Sequence, residues 1–357
     1  MISIFDYRSG LATLEQSLHD ALQRVLDSNR LVLGPETEAF EEELASWAGV
    51  RHCVAVTSGT AAIFVALRGL GVGSGDEVIT VANTCPPTVS AIRLTGAIPV
   101  FVDVDPATLM MDMDLLETAI TPRTRAIVPV HLWGNAVEMR TLCELANRAE
   151  IPVVEDCAQA AGTRIYDRQV GTYGSVGCFS FYPSKNLGGY GDGGAVITND
   201  AALADVMRRL RMYGYDGSPV STVEGVNARI NELQAAFLRV KLPFLESWNA
   251  RRRSVADRYR QALSRVVVPA TTSGTTHCYH QFVVRCDDRA DVVARLDAAE
   301  IGWGIHYERP VHRMPAFERF SRELPVTERA ASEILSLPVH EYLSDDDVSS
   351  VIDAIEL

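Results

Sequence analysis

The sequence predicts an α/β protein: a large domain on a mostly parallel sheet covered by helices, followed by a smaller α+β domain. Three observations carry that expectation. The chain has 357 residues, beyond the ~250–300 at which one hydrophobic core stops growing. Between Cys53 and Ile197 short apolar runs alternate with helical stretches, as strands and covering helices do in a parallel sheet. After about residue 246 that alternation gives way to an irregular mixture of strand and helix signals. The expected domains are 1–245 and 246–357.

In chain order, leucines at 11, 14, 18 and 22 with Val25 and Leu26 mark one face of an amphipathic helix over 11–30. Apolar runs at 53–57, 76–82, 97–104, 125–131, 151–155 and 193–198 are expected strands. Stretches 60–70, 86–95, 112–120 and 136–149 are the helices between them. In such a sheet ligands sit at the carboxyl ends of the strands, where Ser58, His131 and Asp156 fall. A helix over 200–212 leads into a Gly-rich polar loop (214–228), then a helical run over 229–264 that Pro243 should kink. The remainder reads as strand 277–286, helix 289–300, strand 302–307 and helices 327–336 and 345–356.

Composition narrows the function. Net charge is −13, from 33 Lys and Arg against 46 Asp and Glu, which argues against a nucleic-acid partner, since neutralising phosphates needs a basic surface. A small anionic ligand would have to be met locally, by backbone amides or a few arginines; Arg251 to Arg253 read rather as a solvated helix face. Asp6 and Arg8 interrupt the apolar run a signal peptide needs, and no stretch reaches ~18 apolar residues for a membrane span. A cytoplasmic protein is expected. The seven cysteines are odd in number and include no CxxC pair, so neither a disulfide framework nor a metal site is expected.

Three segments carry chemistry. Lys185 sits in Cys178-Phe-Ser-Phe-Tyr-Pro-Ser-Lys-Asn-Leu-Gly-Gly-Tyr-Gly-Asp-Gly-Gly194, where small residues let the backbone approach a flat ligand. Alone, a lysine in a Gly-rich turn is more often surface charge. Asp156 ends the run Pro152-Val-Val-Glu-Asp, where a carboxylate can face a protonated ring nitrogen; the rival reading, an acid holding Mg²⁺, lacks any GxxxxGK[ST] partner. Gln159 lies one turn further on, as a ring-oxygen contact or a cap. Ser58-Gly59-Thr60 opens a helix after a strand, so its amides would face an anion, and Ser180 could add a hydroxyl. Together they describe a pocket for pyridoxal phosphate: an amine for the aldehyde, a carboxylate for the ring nitrogen and donors for the phosphate.

With these residues in hand, the chain resembles the DegT-type sugar aminotransferases, a branch of the aspartate-aminotransferase-like, fold type I, pyridoxal phosphate enzymes. The similarity runs almost end to end: SGTAA at 58, VEDCAQAAG at 154, FSFYPSKNLGGYGDGG at 179, GVNARINELQAA at 225 and GIHYERPVH at 304. It implies a seven-stranded, mostly parallel sheet in the large domain. Lys185 resembles the Schiff-base lysine, Asp156 the partner of the ring nitrogen and Gln159 a ring contact. Gly59, Thr60 and Ser180 resemble phosphate ligands. Asn227 resembles the asparagine that reaches the phosphate from the neighbouring subunit, with Arg229 nearby, which implies a homodimer with shared sites. Tyr182, His306, Tyr307 and His312 lie in segments that border the sugar. Cys85 stands where many relatives carry an aromatic residue stacked on the ring; a thiol offers dispersion but no flat face.

The resemblance implies a two-stage reaction in which L-glutamate passes its amino group to pyridoxal phosphate, giving pyridoxamine phosphate, and a keto-sugar nucleotide then takes it. A dTDP-linked 3- or 4-keto-6-deoxyhexose is the expected acceptor. Two other readings stand beside it. A sugar dehydratase on the same scaffold is disfavoured by Lys185, since a histidine takes that place in dehydratases of this type. A non-catalytic sugar-nucleotide sensor would not need the intact lysine, aspartate and phosphate set.

Overall fold

The computed structural model describes residues 1–356. Helix α1 (Leu11–Ser28) and helix α2 (Pro35–Ala48) precede strand β1 (His52–Val56). Then follow α3 (Gly59–Gly69), β2 (Glu77–Val81), α4 (Pro86–Leu94), β3 (Ile98–Val102), α5 (Met113–Ala119), β4 (Thr124–Ile127), α6 (Met139–Arg148) and β5 (Val154–Asp156). Two-residue strands β6 (Arg164–Ile165) and β7 (Arg168–Gln169) lead to β8 (Val176–Ser180), β9 (Gly194–Thr198) and α7 (Ala201–Leu210). The last part holds α8 (Glu232–Lys241), α9 (Leu245–Ala262), β10 (Thr275–Thr276), β11 (Phe282–Arg285), α10 (Arg289–Ala298), α11 (Pro325–Glu333), β12 (Ile334–Leu337) and α12 (Asp345–Glu356).

Two hydrogen-bonded sets, β1-β9-β8-β5 and β3-β2-β4, are joined by parallel bridges at Ile127–Val153 and Val130–Asp156. The result is the expected seven-stranded sheet, in the order β1-β9-β8-β5-β4-β2-β3. Only β9 runs against its neighbours. Side-chain alternation along β1 divides the core: Cys53 and Ala55 pack with Phe40, Leu44 and Phe181 on one face. Val54 and Val56 pack with Ile63, Leu67 and Met207 on the other. A separate core joins α9, β11, β12 and α12 through Tyr259, Phe282, Leu337 and Val351. The first residues of the chain belong with it, since Ile2 bridges Ile301 and His340 Nε2 binds the Ser3 carbonyl at 3.1 Å.

Several sequence expectations are corrected. Helix α2 was not anticipated, although Pro35 at its first turn and the buried Phe40, Leu44 and Ala48 are ordinary helix signals. Strand β8 overlaps the small-residue stretch around Lys185, where no strand is expected; its residues from Val176 to Phe179 are all buried in the sheet. The run 229–264 starts only at the Asn231 cap, while its interruption at Pro243, by a 3₁₀ turn at Leu242–Phe244, is as expected. Segment 302–307 forms no strand; its ladder-type pairing is limited to isolated bridges at Ile301 and Gly304. The helix expected over 327–336 ends at Glu333, and Ile334 onward pairs with β11. Arg252 is not solvated: it is 4% exposed, paired with Glu341 at 2.8 Å and bound to the carbonyls of Tyr279 and Val339.

Candidate active site

A cleft of about 390 Å³ opens at the carboxyl ends of the parallel strands and is lined by Ser58, Thr60, Asp156, Ser180, Lys185 and Tyr307, among others. Residues far apart in sequence meet there because β1, β5 and β8 all end at the same edge of the sheet.

After β8 the chain makes a tight turn, in which Lys185 N–H binds the Tyr182 carbonyl at 2.8 Å. Gly188 is required in that turn, since a Cβ would lie 2.3 Å from the Pro183 carbonyl oxygen. The turn delivers Lys185 Nζ into the cleft, 3.4 Å from His280 Nε2. Burial lowers the lysine pKa to about 8, with Cys85 and Asp156 opposing the shift. An amine at that value is partly neutral near physiological pH and can act as a nucleophile and base.

Asp156 is 4% exposed. Its Oδ2 accepts from Thr88 Oγ1 at 2.7 Å and its Oδ1 from Ala158 N–H at 3.1 Å. Burial raises its pKa, against these hydrogen bonds and the Lys185 charge, so a cation within the cleft would relieve it. Gln159 is held at both ends, by Trp133 N–H on Oε1 at 2.8 Å and by the Tyr307 hydroxyl on Nε2 at 2.9 Å. His306 lines the same wall; burial lowers its pKa to about 4, and Nδ1 lies 2.9 Å from Ser336 Oγ.

Opposite, Ser58 caps α3 by accepting from Ala61 N–H at 3.1 Å. The amides of Gly59 and Thr60 therefore begin a helix facing the cleft and have no intrahelical acceptors. A Cβ on Gly59 would lie 2.8 Å from Ser180 Cβ, so glycine is what lets the helix start approach β8. The Thr60 and Ser180 side chains flank that spot.

The remaining expected residues are placed unevenly. Cys85, at the start of α4, faces the cleft with its thiol pKa raised by burial. Tyr182 stands at the mouth, 54% exposed. Asn227 is exposed outside this cleft, bridged to Met212, and Arg229 lies over the Tyr213 ring, 5.2 Å from its centroid. His312 is also outside: a 3₁₀ turn at Val311–Arg313 directs it into the protein, fully buried against Phe101 and 3.0 Å from Glu328. His131, expected at a strand end, pairs with Glu155 at 3.0 Å beneath the cleft. With Cys157 these two could in principle hold a metal. However, Glu155 already accepts from the amides of Gly171, Tyr173 and Gly174 and His131 Nδ1 from Val137 N–H. That satisfied network is structural. Sequence reasoning missed Thr88, whose hydroxyl three residues after Cys85 was the available signal. It also missed His280, which nothing in the sequence links to Lys185.

The chain is 48% identical over 94% of its length, and 93% of the relative's, to dTDP-3-amino-3,4,6-trideoxy-alpha-D-glucose transaminase of Micromonospora megalomicea subsp. nigra. It is 43% identical, over 98% of each chain, to the erythromycin biosynthesis sensory transduction protein EryC1 of Saccharopolyspora erythraea. The crystal structure of S. venezuelae DesV in complex with a ketimine intermediate superposes with a TM-score of 0.97 at 43% identity, over 99% of this chain and 97% of that one. The DegT/DnrJ/EryC1/StrS aminotransferase family matches residues 12–356. The chain belongs to that family and is an aminotransferase.

Proposed function

We propose that the protein uses pyridoxal phosphate to transfer the amino group of L-glutamate to a keto-sugar nucleotide, most specifically a dTDP-linked 3- or 4-keto-6-deoxyhexose. The observation that carries the reading is the convergence of Lys185, Asp156 and the open start of α3 on one cleft. The residues fit the cofactor. A Cβ at Gly59 would fill the approach between α3 and β8, Thr60 and Ser180 offer hydroxyls there, and the buried Asp156 carboxylate seeks a cation such as a pyridinium N–H. When bound, pyridoxal phosphate supplies an aldehyde for amines and a ring that withdraws electrons from the substrate carbon.

The chain's own residues do the rest. Lys185 would anchor the cofactor at its aldehyde and, when not so engaged, would hold and move the proton at the substrate carbon, a role its lowered pKa supports. Asp156 would keep the ring nitrogen protonated, and Thr88 with Ala158 N–H orients that carboxylate. Gln159, pinned by Trp133 and Tyr307, presents a fixed polar edge beside the ring. His306, Tyr307 and Tyr182 border the room left for sugar.

Among the described residues lining the cleft, Lys185 is the single Lys or Arg. The cleft of one chain therefore offers the diphosphate of a sugar nucleotide no cation besides that amine. This supports a homodimer in which Asn227 and Arg229, exposed or half-buried outside their own cleft, complete the site of the other copy. One relative is named a sensory transduction protein, which keeps a sugar-nucleotide sensor as the second reading. The decisive assay supplies [¹⁵N]-L-glutamate and a panel of dTDP-keto-6-deoxyhexoses. A ¹⁵N-labelled amino-sugar supports transfer, whereas binding of the sugar nucleotides without label supports the sensor.

A further inference from the structure

Behind Lys185 lies a chain of buried amides whose hydrogen-bond directions are fixed at both ends. The Ala161 and Cys278 carbonyls can only accept. Asn249 therefore turns its Nδ2 to Ala161 O at 3.0 Å, leaving Oδ1 to accept from Asn186 Nδ2 at 2.7 Å. Asn186 Nδ2 also donates to Cys278 O at 2.9 Å, so its Oδ1 faces His280 Nδ1 at 3.2 Å. That contact requires a hydrogen on Nδ1. The other ring nitrogen, Nε2, then carries a lone pair, directed at Lys185 Nζ 3.4 Å away. Asn249, Asn186 and His280 are 0%, 4% and 2% exposed, so water does not compete for these partners. Gly162, at the end of the EDCAQAAG segment, admits the arrangement: its φ is +94°, and a Cβ there would lie 2.1 Å from Asn249 Nδ2.

We propose that His280 is a positioning residue for the Lys185 amine: neutral, with its tautomer set by Asn186, it accepts one N–H of Nζ and holds the amine in attacking orientation toward the cleft. This rests on the reading of Lys185 as the reacting amine. A lysine ends in a freely rotating group on a flexible stem. Fixing one N–H from behind leaves the rest of the amine to face a carbonyl carbon, the kind of orientation that accelerates condensation. No proton changes hands between the two. Burial, then the neighbouring charges of Lys185, Arg252 and His306, push the imidazole well below its ordinary range. On the other side, Cys85, Asp156 and Cys278 face the lysine and favour its charge, while burial opposes it.

The test uses the purified cofactor-free chain, pyridoxal phosphate as the probe, and the rate and extent of the lysine-dependent absorption band from pH 6.5 to pH 10. In the wild type the rate should rise with pH through about 8, the value of the buried lysine. His280→Ala should reach a similar final extent at least about tenfold more slowly. Its midpoint should move up, because water entering the emptied space hydrates the ammonium. His280→Gln, which can still offer an acceptor oxygen, should recover most of the rate, and thermal melts identify any variant that is merely unfolded. A His280→Ala chain that folds and condenses at the wild-type rate with an unmoved midpoint overturns the proposal. So does a His280→Gln chain that folds and stays as slow as His280→Ala. A wild-type chain that forms no lysine-dependent band defeats instead the reading of the site on which the proposal rests.

Discussion

Thr88 Oγ1 donates to Asp156 Oδ2 at 2.7 Å, joining the first turn of α4 to the end of β5 across the floor of the cleft. Thr88 in turn lies 2.9 Å from Thr84 Oγ1. The carboxylate is thereby aimed before any ligand arrives. Thr88→Val preserves shape and removes the donor, leaving Asp156 with less to offset its burial. Affinity for pyridoxal phosphate should fall about tenfold, the loss of one hydrogen bond to a charged group, and Thr88→Ser should restore most of it. Fluorescence titration of the apo chain reads both; an unchanged Thr88→Val affinity would mean that the contact does not orient the carboxylate.

Gly59→Ala places a methyl 2.8 Å from Ser180 Cβ, between two elements of the sheet layer that cannot separate freely. Overpacking of this kind costs about 1–3 kcal/mol and should lower the melting temperature together with cofactor affinity. The double variant Gly59→Ala with Ser180→Gly removes the opposing Cβ. Its melting temperature should recover, while its cofactor affinity, now lacking the Ser180 hydroxyl, should not. Parallel recovery of both would show that Ser180 takes no part in phosphate binding.

Cys85 is a cleft residue without the chemistry of a nucleophile. Burial raises its thiol pKa above the ordinary cysteine range, so thiolate is scarce near pH 7.5 and appears only at more alkaline pH. Iodoacetamide should therefore label it slowly at neutral pH and progressively faster above pH 9. Cys85→Ser, nearly the same size, should keep cofactor affinity within about threefold, because a thiol contributes only dispersion to a ring face. Rapid labelling at pH 7 would contradict this account.

The proposed shared site predicts complementation. Lys185→Ala removes the amine from one cleft, and Asn227→Ala removes the phosphate contact that a second copy would lend. Each homodimer should be inactive or strongly impaired. After mixing under conditions that exchange subunits, each heterodimer holds one cleft with both residues intact, and activity should return to about a quarter of wild type. Activity no greater than the sum of the separate variants would place Asn227 outside the working site.

The legible parts of this protein were those in which chemistry is local in sequence. Asp156 follows its own apolar strand, Ser58 to Thr60 follows another, and Lys185 sits among glycines that the turn demands. The alternation of apolar runs with helices marked six of the strands, while the count of seven came with the family resemblance. Strand β8 was hidden because Gly177 is depleted in strands and Cys178 and Ser180 are small; the strand is tolerated because the sheet buries Val176 to Phe179 on both faces. His312 looked like a companion of His306 from sequence proximity, yet the turn at Val311–Arg313 sends it toward Glu328. His280 stands 95 residues from Lys185 and meets it only through tertiary packing, which no local pattern encodes.

Visible absorption of the purified protein with pyridoxal phosphate reports whether Lys185 is the amine through which amino groups pass. Spectra are taken before and after L-glutamate, alongside Lys185→Ala, with 2-oxoglutarate assayed in the same samples. The wild type should show a band that collapses on adding glutamate as an equivalent amount of 2-oxoglutarate appears, and Lys185→Ala should show no such band. A wild-type band that Lys185→Ala retains, or no band in either protein, would contradict that role for Lys185.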